Sequence, residues 1–406
     1  MVKNIVLILL LIFNFQKPEC GNPSFAGLRP PLFKLGDEVL LSSGIDELKN
    51  KKIALLTNQT GILSNGTHII DAMVEKGINV VKIFSPEHGI RGDENYSAQD
   101  EKTGISIVSL YGDKNKPSKS DLNDVDILVY DIQDVGARFY TYTSTLNYAI
   151  QACVDNNVEI IVCDRPMIIN PNYIDGFMPE LAYKSFVGSI PTPVCYGMTC
   201  GELAGFLYSL NLVKVIKMEN YTRSTDFNSL NLKWVKPSPS MYTSSTAVCY
   251  PAECFLEGTN VSEGRGTDKP FEYFGSPWMN AQAIADELNS YNLNGVKFEA
   301  IKFTPSEKIS SYPPKFFNIE CNGMYINVTD KNKFEAVKAG VAILAALHKL
   351  SPEFKFNKDN FIDKLAGTNK LRKMINEESD YNSIISAWED DLNTFKQERE
   401  KHLLYR

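Results

Sequence analysis

Ile127-Leu128-Val129-Tyr130-Asp131-Ile132-Gln133-Asp134-Val135-Gly136-Ala137-Arg138-Phe139-Tyr140-Thr141-Tyr142 is the stretch on which the reading of the fold turns. Its first four residues are apolar throughout, which suits a strand covered on both faces rather than one with a wet side. Polar residues then appear abruptly, and Thr143–Asn156 takes on helical periodicity. The same succession recurs on either side. Ile53–Leu56, Val80–Phe84, Ile105–Leu110, Ile160–Cys163 and Val213–Met218 read as further strands, and His68–Lys76 as a further helix. Alternation of this kind from Lys51 to about Met218 predicts a doubly wound α/β domain with a mostly parallel sheet.

The pattern changes after about Leu230. Lys236-Pro237-Ser238-Pro239-Ser240 and a long Gly- and Ser-rich stretch lead to strand-like Lys297–Phe303 and Gly323–Val328. Helix-period segments follow at Phe334–Lys349, Lys358–Leu365 and Tyr381–Arg399. Strands followed by helices suggest a smaller α+β domain. The chain of 406 residues is longer than one core usually grows. The expected division is residues 37–230 and 231–406.

The first residues run charged, apolar, polar: Lys3, then Ile5 to Phe15, then Gln16-Lys17-Pro18-Glu19-Cys20. That is the order of a secretory signal peptide, assigned here to residues 1–20, and the apolar run is too short for a stable membrane span. Export to the periplasm or beyond is expected. Lipidation at Cys20 is disfavoured, because Lys17-Pro18-Glu19 are not the small or branched residues a lipobox carries. A formal charge of −7 leaves no basic field for a polyanion, so nucleic acid is not an expected partner.

Cysteine and histidine place no metal. Cys153 and Cys163 fall in apolar stretches where a free thiol acts as a small hydrophobe. The Cys195/Cys200 and Cys249/Cys254 pairs have no histidine nearby to complete a zinc site. A dinucleotide would need Gly-x-Gly-x-x-Gly at the first strand, where Asn58-Gln59-Thr60-Gly61 offers a single glycine. No Gly-x-Ser-x-Gly elbow points to a serine hydrolase. No cofactor is expected.

In open parallel sheets the ligand lies beyond the carboxyl ends of the strands. Here those ends carry Asn58, then Glu87, His88 and Arg91, then Asp131, Asp134, Arg138 and Tyr142, then Arg165. Carboxylates beside arginines and tyrosines suit acetal hydrolysis, in which one group protonates the leaving oxygen and another stabilises or attacks the cation-like carbon. Glu87 is the first choice for the acid, because Pro86 and Gly89 fix it in a tight turn; capping of that turn or pairing with Arg91 is the structural alternative. His88 is read as positioning Glu87. Only nine of 42 basic residues are Arg, and Arg91, Arg138, Arg165 and Arg265 all fall in these polar loops or in the Gly-rich segment. A guanidinium fork suits a substrate carboxylate, although Asp131, Asp134 or Asp164 could occupy any one of them. Glu202, in Thr199-Cys200-Gly201-Glu202, is claimed both by a capping box and by the pocket.

Taken together, Thr57-Asn58-Gln59-Thr60-Gly61, Ser85-Pro86-Glu87-His88-Gly89, the Tyr130–Tyr142 block, Asp164-Arg165-Pro166, Gly197-Met198-Thr199-Cys200-Gly201-Glu202-Leu203 and Leu256-Glu257-Gly258-Thr259-Asn260-Val261-Ser262-Glu263-Gly264-Arg265-Gly266-Thr267 resemble the NamZ-type exo-β-N-acetylmuramidases. The likeness runs from about Gly44 to Tyr405. It implies a Rossmann-like domain with a smaller C-terminal domain and an active site in the cleft between them. It also implies release of N-acetylmuramic acid from non-reducing ends of peptidoglycan fragments, with Glu87 as the catalytic glutamate. Glu263 is the second candidate carboxylate, expected to join the pocket from the other domain. The lactyl carboxylate of that sugar would account for the arginines, and its acetamido group could itself serve as nucleophile. One departure stands out: where the family commonly reads Asp-Arg-Pro-Asn-Pro, Met167-Ile168-Ile169 are inserted before Asn170-Pro171. A non-catalytic cell-wall sugar-binding protein is the alternative; intact Glu87 and Glu263 disfavour it.

Overall fold

A computed structural model describes residues 32–92, 97–307 and 313–406; the signal segment expected at 1–20, with Cys20, lies outside them. Phe33–Arg406 form one compact unit. Six strands, β1 (Ile53–Thr57), β2 (Val80–Ser85), β3 (Ile107–Ser109), β4 (Ile127–Asp131), β5 (Glu159–Cys163) and β6 (Lys214–Ile216), make an all-parallel sheet in the order β3-β2-β1-β4-β5-β6. The order reverses direction between β1 and β4. Helices Ile69–Glu75, Tyr142–Asn156 and Cys200–Leu207 carry the crossovers after β1, β4 and β5.

Both faces of the sheet are covered, as the apolar runs require. Ile53, Leu55, Ile127, Val129, Ile161 and Cys163 point into one core with Ile69, Ile70 and Met73. Ala54, Leu56, Leu128, Tyr130, Ile160 and Val162 point into the other. That second core continues without a break into the later half of the chain. There β7 (Tyr273–Ser276), β8 (Val296–Phe303) and β9 (Cys321–Val328) form a small antiparallel sheet in the order β7-β9-β8. Helix Ala336–Leu350 is buried on nearly every side. Gly340 makes its approach to helix Ser244–Glu253 possible, since a Cβ there would lie 2.7 Å from the Ala252 carbonyl.

Two elements differ from the sequence reading. β7 is not evident in the sequence because it has four residues, one of them Gly275, too few for a period to show. Tyr381–Arg399 is not one helix but two, Tyr381–Ser386 and Glu389–Arg399. The chain turns at Trp388, which is buried and donates its indole N–H to Asp175 Oδ1 at 2.8 Å. All seven cysteines from Cys153 to Cys321 are buried and unpaired. Among the described residues no helix is long and apolar enough to cross a membrane.

Candidate functional site

The turn after β2 presents Glu87. His88 and Gly89 both have positive φ, 71° and 78°, which bends the chain sharply off the strand. For histidine that conformation costs of order 1–3 kcal/mol, and such strain gathers at functional sites. It leaves the Glu87 side chain 21% exposed, with His88 Nε2 3.5 Å from Oε1. On its other side Glu87 Oε2 accepts a hydrogen bond from the Thr141 hydroxyl at 3.0 Å. Thr141 ends the loop after β4, so the β2 and β4 loops meet at this carboxylate.

Tyrosines form the floor. The Tyr142 hydroxyl lies 3.5 Å from the Glu87 carbonyl and donates to the Pro237 carbonyl at 2.5 Å. Burial, and then the charge of Glu87, push its phenol far above the ordinary range, so it remains a neutral donor. Tyr140 packs edge-on against Tyr142 at 5.0 Å. Asn58 fixes the β1 end: its Oδ1 accepts from the Thr60 N–H at 2.9 Å and the Thr60 hydroxyl at 2.6 Å, and that hydroxyl accepts from the Gln133 N–H at 2.9 Å. Asp134 lies deeper. Its Oδ2 accepts from the Tyr196 hydroxyl at 2.5 Å and the Gly136 N–H at 2.8 Å, and burial pushes its carboxyl up to about 6.

The crevice between β1 and β4, where a Rossmann sheet holds its nucleotide, is filled by this chain's own segment. Gln59 Nε2 donates to the Lys236 and Pro237 carbonyls, both at 3.0 Å. Leu232, Trp234 and Val235 close over Thr60, Gln133 and Arg165 and leave a cavity of about 30 Å³. A separate cavity of about 130 Å³ lies at the β2 end, lined by Ser85, Gly89, Ile90, Ile107 and Ser109. A larger cavity of about 290 Å³ lies beyond β5, under the inserted Met167, Ile168 and Ile169.

Glu263 comes from the second half. It is 4% exposed and held by Lys315 Nζ at 3.0 Å and Arg265 Nε at 3.3 Å. Burial alone would raise its pKa, but those two cations outweigh it and hold the carboxyl below the usual range. Gly264 lets the loop double back, since a Cβ there would meet the Tyr273 carbonyl at 2.4 Å and φ is +71°. Beside Glu263 lies Glu253, fully buried, whose two carboxyl oxygens find no donor among the described residues. Burial, and then the Glu263 charge, push its pKa well up.

A chain of rings joins the two carboxylates. Tyr140 meets Tyr250 at 5.6 Å, Tyr250 meets Phe271 at 4.8 Å, and Arg265 lies over Phe271 at 4.8 Å. Segment Pro237–Ser240 runs alongside: Ser238 faces the Tyr140 hydroxyl, and Ser240 Oγ accepts from Arg265 at 2.8 Å. Glu87, Asn58, His88, Tyr142, Glu263 and Arg265 thus belong to one connected cluster.

Other expected site residues turn inward. Arg165 is fully enclosed, forking onto Asp131 at 2.6 and 2.8 Å and reaching Asp37 at 2.7 Å, which removes both Arg165 and Asp131 from substrate. Arg138 is 0% exposed and donates to the Phe177 and Thr192 carbonyls at 2.7 Å and the Leu365 carbonyl at 3.0 Å. With no carboxylate to offset burial, its pKa falls to about 9. Arg91 is bound to Asp100 at 2.7 Å and Asp71 at 2.8 Å. Glu202 completes its capping box with Thr199 and pairs with Arg223 at 2.9 Å, so the structural alternative holds for it. Conversely, Thr141, Tyr140, Ser238 and Tyr250 line the cluster without having been singled out. Thr141 and Tyr140 sit in the opening motif, where their neighbours' charges drew attention; Ser238 lies in a Pro/Ser run that looks like a linker.

The comparisons agree with this architecture. Residues 53–245 match the family model of the exo-β-N-acetylmuramidase NamZ N-terminal domain, and residues 248–405 that of its C-terminal domain. The chain is 41% identical over 388 residues to the peptidoglycan β-N-acetylmuramidase NamZ of Bacillus subtilis (strain 168), covering 93% of this chain and 92% of that one. Crystal structures of two DUF1343 family proteins from Bacteroides fragilis NCTC 9343 are also similar. One has a TM-score of 0.86 at 32% identity and the other 0.76 at 34%; each match covers 92% of this chain and 99% of the other. A Rossmann-type sheet carrying the Ser85–Gly89 turn, a second half carrying the Glu263 loop, and matches to both family models over nearly the whole length establish that the chain belongs to the NamZ exo-β-N-acetylmuramidase family.

Proposed function

We propose that the chain is an exo-acting glycoside hydrolase that releases N-acetylmuramic acid from the non-reducing ends of peptidoglycan fragments, with Glu87 as its proton donor. The observation that carries the assignment is the setting of Glu87. Among the described residues of the cluster it is the solvent-reachable carboxylate held by a hydroxyl, Thr141, rather than by a lysine or arginine. Glu263 is held as an anion by two cations, and Asp131 is closed off by Arg165. Glu263 is thereby kept from serving as the acid, and Asp131 is kept from reaching substrate.

The arrangement supplies one acid and a set of neutral donors, which suits assistance by the substrate's own acetamido group. Glu87 transfers its proton to the glycosidic oxygen as the C1–O bond breaks. The acetamido carbonyl oxygen closes on C1, and water then opens that ring, returning a proton to Glu87. The Thr141 hydroxyl and His88 flank the acid's carboxyl, and the neutral Tyr142 hydroxyl lies beside its backbone carbonyl. Where the substrate lies outside the cell, the apolar run Ile5–Phe15 supports export. The net charge of −7 supports saccharides over nucleic acid as partners.

Incubation of the full chain with a chromogenic β-N-acetylmuramide beside the matching glucosaminide tests the reading. Turnover of the muramide at least about tenfold faster is expected. Equal rates, or none, would refute it.

A further inference from the structure

The substrate proposed above carries a lactyl carboxylate, and the four arginines that could read it are all occupied. Arg91 and Arg165 each hold two aspartates, and Arg138 is walled in by carbonyls. Arg265 is 38% exposed but lies between Glu257 at 2.7 Å and Glu263 at 3.3 Å. Its guanidinium is already taken by two carboxylates, with Lys315 sharing the second, so it has no free cation to offer a third. Lys315 and Lys269 are likewise paired, with Glu263 and Glu272.

Lys236 is different. Its carbonyl is fixed by Gln59, and the next carbonyl, that of Pro237, accepts from the Tyr142 hydroxyl beside Glu87. Its exposed ammonium sits 3.7 Å from the centroid of the Tyr242 ring. Such a contact orients a cation without neutralising it. The Tyr242 hydroxyl in turn reaches Glu307 at 3.4 Å, and the Glu307 N–H bonds the Gly266 carbonyl, in the loop after Glu263. The Lys236–Pro237 backbone is thus tied to the Glu87 turn, and Tyr242, through Glu307, to the Glu263–Gly266 loop. Among the described residues no carboxylate comes within ion-pair distance of Lys236; Glu307 is exposed and lies at the hydroxyl end of the ring.

We infer that Lys236, seated on Tyr242, is the specificity-determining cation that receives the lactyl carboxylate of the sugar bound at Glu87. The inference rests on the muramidase reading and adds to it which side chain distinguishes a muramide from a glucosaminide. Because the ammonium is exposed, the contact is worth a modest factor rather than orders of magnitude.

The test compares two substrates that differ by one charge, a chromogenic β-N-acetylmuramide and its neutral lactyl methylamide, on the full chain. Wild type is expected to favour the charged substrate by about fivefold in kcat/KM, mainly through KM. Lys236→Met should abolish that preference and Lys236→Arg should keep it. A Lys236→Met enzyme that still discriminates, or a wild type that does not, overturns the inference while leaving the hydrolase reading intact. A wild type that cleaves neither substrate refutes that reading and the inference with it.

Discussion

The Thr141 hydroxyl donates to Glu87 Oε2 at 3.0 Å, joining the loop after β4 to the turn after β2. It makes no capping bond to its own helix, Tyr142–Asn156, so its side chain is committed to the carboxylate. Thr141→Val is expected to lower kcat by about threefold to tenfold with KM nearly unchanged, the size of one hydrogen bond to a partly exposed group. Thr141→Ser should restore it. A variant whose melting temperature falls while kcat is normal would mean that Thr141 serves only the fold.

Arg165 makes the opposite prediction. Its guanidinium joins Asp37 and Asp131, all buried, and removing one partner of such a group costs about 3–5 kcal/mol. Arg165→Met should therefore lower the melting temperature by on the order of 10 °C, at roughly 2–4 °C per kcal/mol. A folded, equally stable variant with a raised KM would return Arg165 to the substrate.

The central strands β1, β4 and β5 were legible because each is apolar on both faces, a property of the residues themselves. The Glu87 turn was legible because proline and glycine around a glutamate constrain the backbone locally. The arginines were not. Arg138 finds its acceptors at Phe177, Thr192 and Leu365, so its role depends on contacts the sequence keeps far apart. Glu263 reads in the sequence as a possible acid because Lys315, the cation that holds it, stands 52 positions on. Lys236 and Ser238 were hidden by a Pro/Ser composition that elsewhere marks a linker, here pressed into the crevice between β1 and β4.

Glu253 predicts a pH dependence of stability. Its folded pKa is raised above the unfolded value near 4.3, by burial first and by Glu263 second. A raised carboxyl pKa leaves stability intact below the unfolded value and removes it as pH climbs toward the folded one. Glu253→Gln should therefore differ little from wild type at about pH 4 and melt at least about 2 °C higher at about pH 8. A melting difference that is constant across this range, or larger at acid pH, would show that Glu253 does not carry the buried proton.

The central claim is that Glu87 delivers the proton. Glu87→Gln keeps the shape of the side chain and its contact with Thr141 but cannot protonate a leaving oxygen. A positioned donor contributes on the order of 10²–10⁴ in rate. The measurement is kcat and kcat/KM of Glu87→Gln on the chromogenic muramide across pH, with Glu263→Gln in parallel and melting temperatures for both. The account predicts a loss of about a hundredfold or more in kcat for Glu87→Gln, with an unchanged melting temperature and no falling alkaline limb. Near-normal turnover of Glu87→Gln with an unaltered profile would contradict it, and would make the Ser85–Gly89 turn a structural element.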